Sequence, residues 1–136
     1  MKFLAVVLSC SVMTNCFADG AEKVLPISTL NAQRNAYDGK ELVLRGYLVL
    51  GPESTYVVTR PGYDGDYWAD DSGCLSLLNS GDHNNREAAL KGRYVEISGV
   101  FHVDTDSYGV SFSQCGSTGL DLGGNVDASI KVLGKP

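Results

Sequence analysis

Basic charge is scarce in this chain: 11 lysines and arginines face 16 aspartates and glutamates, for a net charge of −5. A surface that follows nucleic-acid phosphates needs a basic stripe to displace counterions, so no nucleic-acid partner is expected. The same excess of acid works against binding to anionic lipid. Histidine is scarcer still, with only His83 and His102. A zinc site needs three or four ligands, and no His/Cys set at metal-ligand spacing is left once the cysteines are paired. Gly-x-Ser-x-Gly is absent, and "GLDLGG" does not open a helix, so neither a nucleophile elbow nor a phosphate loop is expected. No catalytic motif, metal or cofactor is implied. The apolar run Phe3 to Met13 falls short of the roughly 20 residues a transmembrane helix needs.

That short run has another reading. Lys2 is a minimal positive n-region, Phe3 to Met13 an apolar h-region, and "CFA" places small residues before a cleavage point after Ala18. Residues 1–18 are therefore expected to be a signal peptide and residues 19–136 a single periplasmic or secreted domain. "VLSC", ending at Cys10, resembles a lipobox and offers lipid attachment as the alternative, although little apolar chain precedes it. Of the four cysteines, Cys10 and Cys16 leave with the signal. Cys74 and Cys115 remain, and two cysteines in an exported chain point to one disulfide. Such a bridge closes a loop of about 40 residues and is worth roughly 4 kcal/mol in the chain-entropy picture. A redox pair would more naturally use Cys-x-x-Cys, which is missing.

The pattern "GKELVLRGYLVL" at 39–50 returns loosely as "GRYVEISGVFHV" at 92–103. Both have glycine and a basic residue first, apolar residues at places four and six, a second glycine at eight, and an apolar residue at ten. Leu42, Leu44, Leu48 and Leu50 share one parity with Gly46, and Val95, Ile97 and Phe101 share one with Gly99. This is strand periodicity with one face in a core.

Before the first copy, "STLNAQRNAYDGK" predicts one or two helical turns capped by Ser28, with Leu30, Ala32 and Ala36 as the apolar side and Asp38-Gly39 as the stop. After it, "GPES" turns into a strand over 55–60, and "CLSLLN" starts another at Cys74. "NNREAALKG" predicts a short helix ended by Gly92, and His102 falls on the outward parity of the second copy. "DTDSYG" predicts a plain turn and "VSFSQC", 110–115, a fifth strand. Residues 116–136 read as a glycine-rich tail with one candidate strand at "SIKVL".

Strand, strand, strand, helix, strand, strand is the order of the oligonucleotide/oligosaccharide-binding (OB) fold, a five-stranded Greek-key barrel. In so small a barrel a long strand must bend sharply, and a glycine inside it removes the side chain where the bend is tightest. Gly46 and Gly99 are thus expected at the corners of two long strands, with no domain duplication. "YDGKELVLRGYLVL" after a short helical segment resembles the opening of small bacterial OB-fold proteins, many of them exported and without an assigned function. The resemblance spans residues 27 to 115, its motif only 37 to 50, and it implies a fold rather than a chemistry.

The most unusual segment is "PGYDGDYWADDSG", 61–73. In this fold, ligands meet the second and third strands and neighbouring loops. Tyr56, Tyr63, Tyr67 and the single tryptophan, Trp68, could anchor a protein or stack on a glycan, with Asp70 and Asp71 adding acid. Trp68 could instead fold back over a barrel seam while the aspartates keep the loop soluble. Calcium is a weaker reading, because neither this loop nor "DTDSYG" has the full ligand spacing. The expected function is an exported, non-enzymatic binding module with a protein or glycan partner, in one form an inhibitor or immunity-type protein. The alternatives are a small hydrolase using loop aspartates and a structural envelope component without a ligand.

Overall fold

The computed structural model of the protein describes residues 23–51, 55–61, 73–81, 86–108 and 115–134. The expected signal peptide, both of its cysteines and His83 lie outside these residues. Two long strands, β2 (Glu41–Leu50) and β5 (Tyr94–His102), organise everything else. They are the two copies of the repeated pattern, and they run antiparallel with Leu42 opposite Gly99, Leu44 opposite Ile97 and Gly46 opposite Val95. Each pattern glycine therefore faces an apolar residue of the other copy.

Around this pair the sheet closes. The second half of β2 pairs with β3 (Thr55–Val58), β3 with β4 (Cys74–Leu78), and β4 runs parallel to β6 (Gly119–Asp121). The last turn of the circuit is β6 against the second half of β5. The circuit β2-β3-β4-β6-β5 and back to β2 is a closed five-stranded Greek-key barrel, the OB fold.

At Gly46 and Gly99 the neighbouring strand leaves no room for a side chain. A Cβ on Gly46 would lie 2.6 Å from Val57 Cγ2 and 2.7 Å from the Val58 carbonyl oxygen, and one on Gly99 would lie 2.5 Å from the Asp121 carbonyl oxygen. At each glycine one of these neighbours is a backbone carbonyl of the adjacent barrel strand, so the glycines are required by close approach.

Because β2 and β5 serve two neighbours each, parts of their edges would be left open. Short strands fill them: β1 (Val24–Leu25) pairs parallel with Val43 and Leu44, and β7 (Ile130–Val132) pairs antiparallel with Val95 to Ile97. This covers backbone groups that would otherwise template pairing with another chain. Inside, Leu44, Leu48, Val57, Leu75, Val95, Ile97, Phe101 and Leu120 are fully buried in one core, and Leu42 packs against it half-buried. Ile27 and Leu30 of α1 (Ile27–Ala32) and Leu90 of α3 (Glu87–Leu90) complete that core.

The structure revises several local expectations. Ser28 does not cap α1. The N-cap is Pro26, with no side-chain cap, and its carbonyl accepts from the amides of Thr29 and Leu30. Burial of Ile27 draws the helix start forward, and Ala32 and Ala36 are exposed. A second turn, α2 (Arg34–Tyr37), ends at Asp38 and Gly39 as expected, with Gly39 at φ +71°. Residues 110–114 of the expected fifth strand lie outside the described residues, and Cys115 is in a turn. The strand that closes the barrel is β6, within the segment read as a tail. There Gly119 lets β6 pass Leu78, whose side chain would be 2.7 Å from a Cβ. The same segment carries α4 (Val126–Ser129), capped by the Asn125 side chain, and β7 at the expected "SIKVL".

Candidate functional site

Side chains alternate across each strand, so residues paired across strands share a face. The outward row through the β2–β5 seam is Tyr94, Tyr47, Val58 and Cys74, and the next outward row is Val49, Tyr56 and Ser76. An outer barrel face is ordinarily polar. Here Tyr56, Val58, Cys74 and Cys115 form a second apolar cluster, with Tyr47 and Val49 packed against it half-buried. Every residue of β4 is buried, on both faces.

A disulfide lies across that face. Cys74 and Cys115 are bonded, with their Cα atoms 5.0 Å apart across 41 residues of chain, so the expected pairing is present. Asn31 of α1 braces it: its amide donates to the Cys74 carbonyl at 2.9 Å, and its Oδ1 accepts from the Thr118 hydroxyl at 2.9 Å. Helix, third barrel strand and the turn after Cys115 are held at one point.

Among the expected binding residues, Tyr56 is on β3 and only 5% exposed, so its ring belongs to this cluster more than to the solvent. Tyr63, Tyr67, Trp68, Asp70 and Asp71 lie outside the described residues. What is described is the base of their loop. The amide of Thr59 donates to the Gly73 carbonyl at 3.0 Å, next to the Val58–Cys74 pair and its disulfide. The acidic, aromatic loop therefore leaves from and returns to one closed point beside the apolar outer face.

Beside this face, a cavity of about 480 Å³ opens between Tyr47, Tyr94, Arg93 and Leu133, with Pro61 at its rim. The two tyrosine rings are 5.1 Å apart with planes at 52°. The amide of Leu133 donates to the Tyr94 carbonyl at 2.9 Å, which fixes that wall to β5.

A polar constellation not foreseen from the sequence sits on another side of the barrel. The Tyr108 hydroxyl is 2.9 Å from His102 Nε2 and donates to Asp121 Oδ2 at 2.9 Å. A phenol has one proton, so with that proton on Asp121 the Nε2–H of His102 is the donor to the phenol oxygen. The bond to Asp121, then burial and the carboxylate's charge, push Tyr108 above its ordinary value of 10.0. Burial pushes Asp121 up, but the Gly123 amide, the Tyr108 hydroxyl, the Asn79 side chain and His102 outweigh it and hold the carboxyl below its ordinary range. A phenol held protonated is a poor nucleophile or base, so the arrangement ties the 3-10 turn Asp106–Tyr108 to β5 and β6. His102 is on the outward face, as its parity predicts. The contact itself had no local signal, because Tyr108 lies within a turn and Asp121 lies on a strand not expected there.

Among the described residues, no group of three or more His, Cys, Asp or Glu side chains is placed to hold a metal ion. No helix among them is long and apolar enough to cross a membrane.

The chain matches no protein-family model and no curated protein. Among solved structures it is similar to asparaginyl-tRNA synthetase from Pyrococcus horikoshii, at 15% identity over 72% of this chain and 20% of that one, with a TM-score of 0.39. It is also similar to OBody AM2EP06, solved bound to hen egg-white lysozyme, at 13% identity over 74% of this chain and 86% of that one, with a TM-score of 0.43. This chain thus spans about a fifth of the synthetase's length. At these scores the likenesses carry no functional weight, and the barrel is established by its own strand order and register.

Proposed function

We propose that the chain is an exported, disulfide-stapled OB-fold binding module that engages a protein partner and performs no chemistry of its own. The observation that carries this reading is the closed loop base. Thr59 and Gly73 hold the ends of a segment containing Tyr63, Tyr67 and Trp68 beside an apolar outer face. Aromatic residues held on a rigid scaffold are the usual anchors of a protein interface. Asp64, Asp66, Asp70 and Asp71, on a chain of net charge −5, favour a partner with a basic surface. A protein that inhibits or confers immunity to a secreted enzyme is the concrete form of this reading.

The test uses the wild-type chain and a Trp68→Ala variant as paired baits on the secreted or periplasmic fraction of the source cell. The expected result is a protein retained by the wild type and lost by the variant, with the disulfide and unfolding midpoint unchanged. Identical retained proteins for the two baits, with both chains folded, would overturn the loop as the binding element.

A further inference from the structure

The cavity at the start of β5 has a chemistry that the protein-binding reading leaves unused. Tyr94 and Tyr47 are directly paired across the β2–β5 seam and both are half-buried, each with part of its ring at the cavity. Their tilt of 52° makes an open V and leaves no parallel slot, so a flat aromatic ligand could not be sandwiched between them. A puckered ring fits better: one C–H face can lie on a tyrosine while its edge substituents reach the phenol oxygens. Gly92 and Gly134 also line the cavity without side chains, which leaves room for a ring beside the tyrosines. Its volume, about 480 Å³, is within the roughly 300–1,000 Å³ usual for small-molecule sites.

Charge narrows the class further. Arg93 lines the cavity and is exposed, and the one described hydrogen bond of its side chain is a long one, from Nε to the Ala89 carbonyl at 3.4 Å. Arg60 and Lys91, both exposed, are next in sequence to the lining residues Pro61 and Gly92. Arg93 is thus the cation among the cavity's described lining residues, on a molecule whose net charge is −5. A guanidinium presents paired donors that match a carboxylate.

We infer that this cavity is a binding site for a sugar ring bearing a carboxylate, the chemistry of a uronic acid. The ring packs on Tyr94 and Tyr47 and the carboxylate pairs with Arg93. Its described lining comes from Tyr47 of β2, from Tyr94 of β5 and the two residues before it, from Leu133 and Gly134 after β7 and from Pro61, and its test needs no protein partner.

The experiment is a nuclear magnetic resonance titration of the full chain with D-glucuronate, D-glucose and acetate, following Tyr94, Leu133 and Gly134. The inference predicts saturable shifts with glucuronate, affinity about tenfold weaker for glucose and for acetate, and a similar tenfold loss in Arg93→Gln, as expected for one charge-assisted pair. Arg93 is exposed, so an unchanged unfolding midpoint is the control for fold. No saturable shift with glucuronate would overturn the inference. So would acetate binding as tightly as glucuronate, or affinity retained in Arg93→Gln.

Discussion

At the scale of single residues, the sharpest constraints are the two glycines inside β2 and β5. A methyl group on either would press against a carbonyl of a neighbouring strand at 2.7 Å or less, and backbone in a closed sheet has little room to move. Gly46→Ala and Gly99→Ala are each expected to cost about 1–3 kcal/mol of unfolding free energy in a urea titration. Gly134→Ala, where nothing lies within 4 Å of the added carbon, is expected to stay within about 0.5 kcal/mol of wild type. Equal effects at the three positions would contradict the close-packed corners.

The Tyr108–Asp121 pair makes a second residue-scale prediction, with its sign set by the direction of each shift. Asp121 is held below its ordinary range, so its contribution is complete above that range and is lost as pH falls through the lowered value. Tyr108 is raised above 10.0, so its contribution is complete below pH 10.0 and is lost as pH rises through the raised value. The stability difference between wild type and Tyr108→Phe should therefore be flat at intermediate pH and shrink at both extremes. A difference that does not vary with pH would show that the contact is not made in solution.

At the scale of elements, β4 depends on what is laid across it. At its first residue the Cys74–Cys115 bridge and the Asn31 amide hold the strand to the turn after Cys115 and to α1. The bridge closes 41 residues, worth about 4 kcal/mol in the chain-entropy picture. Replacing both cysteines with alanine is expected to lower unfolding stability by about 2–5 kcal/mol. The amide of Thr59 at the loop base should then exchange faster with solvent. Unchanged exchange there would mean the staple does not hold the loop.

The elements also show what was legible in advance. β2 and β5 could be read because ten- and nine-residue strands repeat an alternation long enough to stand out, and their glycines mark the bend. The bridge could be read because only two cysteines lie beyond the expected signal peptide. β6 could not. It is three residues long, and its identity comes from pairing with β4 on one side and β5 on the other. The start of α1 was misplaced because Ser28 is a good cap in isolation, whereas packing of Ile27 decides the boundary. The same limit hid the Tyr108 network, whose partners meet only once β5 and β6 are side by side. For the acidic, aromatic segment, composition marked it, and the fold adds the point where its ends are held.

At the scale of the whole molecule, the barrel is closed, its spare edges are covered by β1 and β7, and its described apolar outer face is confined to one side. That asymmetry is what supports the proposed binding surface. The most direct measurement is amide hydrogen exchange of the chain alone and with the protein it retains from its own compartment. Slowed exchange over residues 56–73, with β6 and α4 unchanged, is the predicted result. Slowing confined to 119–129, with 56–73 exchanging as in the free chain, would contradict it.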